Sequence, residues 1–307
     1  MTVVLGALLP VFMLIALGLV LRWTLLPQDA QWSAMERLAY YVLFPALLIV
    51  TLAHADLDSV PVAEVGAALL LAMLLTAALC FVIRPLLTRF GADGPAFTSV
   101  FQGATRFQTY VALSVVGNLY GTLGLTLAAV ATVAIVPLVN VLSVAVMTRY
   151  AMPERLPAWR VVVMIIRNPL IWACLVGIAF SLLHITVPRP IDQFGDSLGR
   201  ASLAVALLVV GAGLKLDGLL RVGPAAAAAV ILKLAVMPAI AAALALLFGL
   251  SGTNLVVVVC CAAVPTSSSA YVLARQMGGD APLLAQIITL QTVLAAITMP
   301  VALALVQ

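Results

Sequence analysis

Four consecutive hydroxyl side chains follow a proline inside an apolar stretch near the end of the chain. They come in the order Pro265, Thr266, Ser267, Ser268 and Ser269. A proline in a helix removes a backbone hydrogen bond and clashes with the preceding turn, and lipid offers the freed carbonyls no partner. Either the hydroxyls satisfy a proline kink, or they line a polar cavity at a broken helix. Because four hydroxyls exceed what one kink requires, the pattern favours a cavity where these residues bind a ligand.

A second polar cluster interrupts an earlier apolar stretch and carries a positive charge. Gly103 offers a flexible point, and it is followed by Arg106, Gln108, Thr109 and Tyr110. An arginine at the centre of a bilayer costs about 2.5–3.5 kcal/mol on insertion scales, so we expect it to extend to the membrane surface, to pair with a carboxylate or to face a water-filled site. A guanidinium matches the two oxygens of a carboxylate. The cluster therefore predicts a substrate site for a small organic anion.

Other polar residues lie at expected helix irregularities. Asn140 and Asn168 stand close to prolines, and Lys233 lies within an apolar helix. We predict Asn140 in the substrate site and Tyr271 beside the apolar part of the ligand. Lys233, Asn168 and Gln291 are candidates for coupling or gating. The structural alternatives remain open: an asparagine caps freed backbone groups, the lysine extends to the membrane surface, and the glutamine joins helices.

Membrane helices must position these residues. The chain has 307 residues, of which 65% are hydrophobic and 8% charged, whereas soluble domains carry about 25% charged residues. A helix needs about 20 apolar residues to cross a bilayer. Ten segments meet that test, and the second and seventh are short enough to extend into their flanks. The segments are approximately 3–21, 38–53, 62–83, 96–116, 122–147, 162–183, 198–214, 223–249, 253–274 and 282–306.

The basic residues predict which loops face the cytoplasm. Eleven Lys and Arg fall in the loops of one side, against Arg189 and Arg200 on the other. Since positive loops stay in the cytoplasm, we expect both termini outside and the loop at about 148–161 inside. The basic residues form no patch of the kind that binds nucleic acid, so membrane lipid is the expected environment.

The two halves of the chain share prolines, glycines and tyrosines at a nearly constant spacing of 159 to 163 residues. An odd number of helices per half places the second half in the membrane upside down. The pattern predicts two inverted repeats of five helices, an arrangement common in secondary transporters, with the site where interrupted helices meet. The matched pairs are Pro10 and Pro169, Gly18 and Gly177, Tyr110 and Tyr271, Gly117 and Gly278, and Pro137 and Pro300.

The sequence offers no enzyme, metal or cofactor motif. It has no HExxH zinc helix and no phosphate-binding loop, and its one GxSxG string, at 195–199, precedes an apolar helix with no predicted strand before it, so it is not a nucleophile elbow. The four cysteines lie inside apolar stretches, where they are expected to pack as small residues. We therefore predict that the chain is not an enzyme and needs no cofactor. Whether protons or sodium drive it stays open.

Several motifs together resemble the auxin efflux carrier family, the bacterial relatives of plant auxin exporters. They are Pro10 with Gly18, Leu43–Leu47, Arg106–Tyr110, Pro137–Asn140, Arg167–Leu170, Val264–Ala274 and Gly278–Asp280. The sequence departs from the family at Gln108, where we expect Asn in bacterial members. It also lacks a proline where the fourth helix should break.

The resemblance implies an all-α membrane protein of ten helices, with helices four and nine broken where they cross. The repeats would span residues 1–148 and 162–307, joined by a cytoplasmic loop at 149–161. Helices one, two, six and seven would form a scaffold, and helices three to five and eight to ten would move as a transport domain. The resemblance also implies a homodimer in a bacterial inner membrane that carries organic anions such as malonate or auxin.

The leading prediction is a secondary transporter for a small organic anion that works by an elevator-type motion. One alternative is a sodium-coupled symporter of the bile-acid type, which shares the ten-helix plan and would be stabilised by sodium. Another is a sensor or channel with the same fold. A sensor usually needs an output domain, and a channel would show far higher flux than a carrier.

Overall fold

The computed structural model describes residues 2–55, 61–152, 163, 166, 168–185, 187–216 and 222–306. Within those ranges all regular secondary structure is helical, as the composition predicts. The helices are α1 (Thr2–Thr24), α2 (Asp29–Leu38), α3 (Phe44–Ala53), α4 (Val62–Arg89), α5 (Gly94–Thr105), α6 (Thr109–Tyr150), α7 (Pro169–Leu182), α8 (Arg189–Ala212), α9 (Pro224–Ile231), α10 (Met237–Leu247), α11 (Gly252–Ala263), α12 (Ser269–Gln276) and α13 (Ala281–Ala304).

Two pairs of helices are continuous through a single π-helical turn. Ala39–Leu43 joins α2 to α3, and Leu232–Val236 joins α9 to α10. In both cases a proline, Pro45 or Pro238, is the second residue of the following helix. A proline cannot donate the usual backbone hydrogen bond, and a wider turn is one way for a helix to continue through such a defect.

Seven stretches in the described ranges are long and apolar enough to cross a membrane, and α7 and α11 are shorter apolar helices. The ten predicted segments fit these helices roughly. The 57-residue stretch Gly94–Tyr150 covers two of them, and Gly121 separates these two with a φ of 57°, which suits glycine. The second and seventh segments are longer than predicted, since their helices begin at Asp29 and Arg189.

The helices pack in two groups. The first, which we call the glycine-packed group, contains α1, α3, α7 and α8. Its helices approach closely, because a Cβ at Gly18 would lie 2.1 Å from the carbonyl oxygen of Leu208, and one at Gly211 would lie 1.8 Å from that of Ile15. The second, the crossing group, contains α4 to α6 and α9 to α13.

Candidate functional site

Two non-helical segments, each between two helices, meet inside the crossing group. Helix α5 ends at Thr105 and α6 begins at Thr109, and both Arg106 and Gln108 have extended backbone between them. In the second half, α11 ends at Ala263 and α12 begins at Ser269. The backbone N–H of Gln108 donates to the carbonyl of Pro265 at 2.9 Å, so the two non-helical segments bond directly to each other.

Side chains from the second half satisfy the backbone where α5 ends. The carbonyl of Gly103 accepts hydrogen bonds from Thr266 Oγ1 at 2.5 Å and Gln291 Nε2 at 2.8 Å. Gln291 Nε2 also donates to the carbonyl of Ala229, while its Oε1 accepts from the N–H of Thr266. These bonds explain how the first half leaves helical geometry at Arg106 without a proline. The freed groups find partners in the tertiary structure.

Arg106 lies beside this junction with part of its guanidinium unpaired. The residue is 8% exposed, and its Nη2 donates to Asn140 Oδ1 at 3.0 Å and Ser269 Oγ at 3.1 Å. Its buried Nη1 has no hydrogen-bond partner among the described residues. No Asp or Glu of the described ranges forms an ion pair with Arg106. A buried guanidinium left in this state has a free donor for an anion.

A cavity of about 620 Å³ opens at Arg106. Its volume is within the range of small-molecule pockets, about 300–1,000 Å³. Most of the exposed surface of the wall is apolar, as is usual for a pocket that binds an organic molecule, although 15 of the 25 lining residues have polar side chains. The polar lining comprises Ser33, Glu36, Arg37, Tyr40, Tyr41, Arg106, Gln108, Thr109, Tyr110, Asn140, Asn168, Ser267, Ser268, Ser269 and Gln276.

Two helix N-termini contribute to this wall. Thr109 and Ser269, the first residues of α6 and α12, both line the cavity. The N-terminus of a helix carries a partial positive charge and unpaired N–H groups, which favour an anion. Gln108 Nε2 donates to Ser268 Oγ at 3.3 Å, which ties the two N-termini together. Charge, donors and helix ends therefore all suit a carboxylate.

Comparison with known proteins identifies the family. Residues 153–303 match the family model Mem_trans, described as membrane transport protein. These residues carry the domain of the auxin efflux carrier family. No curated protein matches it. The family match and the apolar helices together make the chain a multi-pass membrane protein of a transporter family, a family that is not enzymatic.

The match to the auxin efflux carrier model covers part of the candidate site. Pro265 to Ser269, Asn168, Lys233 and Gln291 lie within the matched residues, whereas Arg106 and Asn140 precede them. The residues around Arg106 are therefore assigned to the site from the structure, because they line the same cavity.

Some of the residues predicted from the sequence lie away from the cavity of this carrier-family protein. Pro265, Thr266 and Gln291 form the junction behind it, and Lys233, which is fully buried, does not line it either. Tyr271 also lies outside the lining, because Lys215 Nζ donates to its hydroxyl at 3.2 Å and sits 4.9 Å from its ring centre. Asn168 does line the cavity, and its Oδ1 also caps α7 by accepting from the N–H of Leu170.

Sequence reasoning missed the wall that α2 supplies. Ser33, Glu36, Arg37 and the tyrosines of the π-helical turn line the cavity. The predicted second segment began at residue 38, so Glu36 and Arg37 were left in a loop. The signal that marked them was Pro45, whose helical defect widens the turn that carries Tyr40 and Tyr41. Tyr110 faces this wall and stacks on Phe44, with ring centres 4.3 Å apart.

Proposed function

We propose that this protein is a secondary transporter that moves a small organic anion, a carboxylate with an apolar body, across the membrane. The observation that carries the proposal is the unpaired Nη1 of Arg106, buried beside a cavity of about 620 Å³. Leaving a buried charged donor without a partner is costly. A carboxylate would accept a hydrogen bond from Nη1, and the existing hydrogen bonds of Arg106, which Nη2 makes, would stay in place.

The surroundings of Arg106 suit the rest of such a ligand. Gln108, Asn140 and Ser267 to Ser269 would donate hydrogen bonds to carboxylate oxygens. Tyr110 and the valines of α6 and α8 would contact the apolar body. The site would thus accept malonate-like or auxin-like carboxylates according to how the apolar wall fits them. We assign Tyr271 no ligand contact here, since its hydroxyl is bonded to Lys215.

We interpret the non-helical segment between α5 and α6 as a break in the predicted fourth membrane helix, and the one between α11 and α12 as a break in the predicted ninth. The two helices would cross at Gln108 and Pro265. The halves of the chain, 1–148 and 162–307, would be inverted repeats. The glycine contacts support this. Gly18 packs on Leu208, while Gly177 packs on Ile49 with a Cβ position 3.2 Å from the Ile49 Cα. Gly18 and Gly177 differ by 159 in number, and so do Ile49 and Leu208.

We also propose an elevator-type mechanism, based on the division of the helices into two groups. The glycine-packed group would be the scaffold and the crossing group the transport domain. The cavity lies between them, because Leu170 of α7 and Val209 of α8 line it from the glycine-packed group and residues such as Asn140 of α6 line it from the crossing group. Sliding the crossing group would carry the bound anion past the scaffold. We further propose a homodimer in a bacterial inner membrane, with both termini outside.

Replacing Arg106 tests the anion site. Arg106→Ala removes a charged hydrogen-bond donor worth about 1.5–3 kcal/mol, so we expect at least about a tenfold loss in the uptake of labelled carboxylates by proteoliposomes. Arg106→Lys should restore part of the uptake, since a lysine keeps the charge without the planar fork. Thermal unfolding with and without each carboxylate would identify the ligands that bind.

The matched control is Arg84→Ala. Arg84 contacts the aromatic rings of Phe97 and Tyr150 by cation–π interactions and lies outside the cavity lining. Its variant should keep the uptake rate once reconstituted in equal amounts. Undiminished uptake by Arg106→Ala would overturn the proposed anion site.

A further inference from the structure

The cavity beside Arg106 also carries a negative charge, on the wall that α2 supplies. Glu36 lines the cavity and is half-buried. Among the residues that the structure describes, no lysine, arginine or histidine forms an ion pair with its carboxylate. A carboxylate that is partly withdrawn from water and unpaired is stabilised by any ligand that donates hydrogen bonds to it.

The arginine that follows Glu36 in the sequence lies on another face of α2. Glu36 and Tyr40 are four residues apart and both half-buried, whereas Ser33, Arg37 and Tyr41, also spaced by four, are exposed. Side chains four residues apart on a helix are neighbours, and consecutive ones do not face each other. Arg37 therefore lines the cavity at its exposed rim, where water and salt screen its charge.

Two tyrosines lie close to the charges on both sides of the cavity. Glu36 is near enough to Tyr110 to interact with it electrostatically, and Arg106 is near enough to Tyr40. Both tyrosines line the cavity. Glu36 and Arg106 form no ion pair with each other, so the cavity offers a ligand two separate charges of opposite sign.

These groups restrict what a ligand held by Arg106 can carry at its other end. An ionised carboxylate only accepts hydrogen bonds, so the ligand group beside Glu36 must donate. An ammonium group has three N–H donors and the opposite charge, and tyrosine rings attract cations. A second carboxylate on the ligand has no donor and is repelled by the like charge of Glu36.

We propose that Glu36 selects the substrate: the carrier binds carboxylates whose far end bears an ammonium group or another N–H donor, and it discriminates against dicarboxylates of the same length. The proposal rests on the proposed function, because Arg106 must first hold the carboxylate. It deepens that function by naming the substrate class, which is set by the charge on α2 as well as by the apolar wall.

Two trios of probes test this selection with the purified protein in detergent at neutral pH. The first is δ-aminovalerate, pentanoate and glutarate, and the second is ω-aminoheptanoate, heptanoate and pimelate. Within a trio the chain length is constant and only the far end differs. Titrating each probe against the thermal unfolding temperature gives its affinity. In the trio whose length fits the cavity, we expect the amino acid to bind about tenfold more tightly than the dicarboxylate, since a hydrogen bond to a charged group replaces a repulsion.

Glu36→Gln keeps the shape of the side chain but removes its charge, so it should abolish the preference for the amino acid over the dicarboxylate. The matched control is Glu64→Gln. Glu64 is an exposed glutamate in the first turn of α4 and lies outside the cavity lining, so its variant should keep the preference of the wild type.

The wild type alone can overturn the proposal, without any variant. Equal binding of the three probes in both trios would remove the role of Glu36 and leave the carboxylate site at Arg106 in place. Tighter binding of the dicarboxylates would assign the far end to Arg37 instead. A Glu36→Gln variant that retains the preference would also contradict the proposal. If none of the six probes binds, the proposed function fails, and the selection by Glu36 fails with it.

Discussion

The glycine-packed group and the crossing group hold their helices together by different means. In the first, Gly18 and Gly211 bring the backbones of α1 and α8 into direct contact. In the second, Gln291 and Thr266 bond to backbone groups that the helix ends leave free. Lipid tails are as apolar as leucine, so membrane helices associate through close packing and hydrogen bonds. Continuous helices thus use the first means, and helices that end inside the protein use the second.

The proposed mechanism gives this difference a function. A scaffold should keep its shape, and close backbone packing leaves few alternative arrangements. A site that must present polar groups at the centre of the membrane needs irregular backbone, which is tolerated only where protein or water satisfies it. Changing one packing glycine and one hydrogen-bonding side chain in separate variants measures how much each kind of contact contributes to stability.

The largest effect is expected for Gly18→Ala in the glycine-packed group. The new Cβ would lie 2.1 Å from the carbonyl oxygen of Leu208, so α1 and α8 must move apart along their contact. Such overpacking costs about 1–3 kcal/mol or more. We expect a lower unfolding temperature in detergent. Gly6→Ala is the control on the same helix, since a Cβ there meets nothing within 4 Å; equal stability of the two variants would show that close packing at Gly18 is not required.

A smaller but still clear effect is expected for Gln291→Leu in the crossing group. The change leaves the N–H of Thr266 without its partner and removes one of two donors from the carbonyl of Ala229, which also accepts from the N–H of Leu232. An unsatisfied buried group costs about 1–3 kcal/mol, although hydrogen bonds measured in membranes are often nearer 0.6 kcal/mol. We expect lower thermal stability and slower carboxylate uptake. Thr292→Val is the control, because this buried hydroxyl bonds within its own helix to Ile288. If both variants resemble the wild type, the junction is stabilised by something other than Gln291.

The two groups also differ in how far the sequence predicted them. An arginine, or a proline followed by hydroxyl residues, is unusual in an apolar segment, so the polar clusters at 103–110 and 265–269 could be recognised from the sequence. The role of Gln291 could not, because it depends on groups 25, 62 and 188 residues away. Glu36 was missed for another reason. The polar residues of α2 lower its apolar character, so the predicted helix began after them.

Tyr271 shows the limit of matching one half of the chain to the other. It aligns with Tyr110, which lines the cavity and stacks on Phe44. A repeat transfers the backbone position, but the direction of a side chain depends on its neighbours. The neighbour of Tyr271 is Lys215, which lies 56 residues before it. The residue 56 positions before Tyr110 is His54, at the end of α3, so the two tyrosines do not have matching neighbours. If the halves are repeats as proposed, the two tyrosines would share a backbone position but not their side-chain contacts.

The smallest effect is expected for Thr266→Val. This variant tests whether Thr266 and Gln291 can replace each other as donors to the carbonyl of Gly103. Removing the hydroxyl takes one donor from Gly103, but Gln291 Nε2 still donates to the same carbonyl. We expect a loss of about 0.5–1 kcal/mol in the free energy of unfolding. The double variant with Gln291→Leu should lose more than the sum of the two single variants, because it alone leaves Gly103 with neither side-chain donor. Strict additivity would mean that the two donors act independently, and the junction would then be a set of separate contacts rather than one shared acceptor.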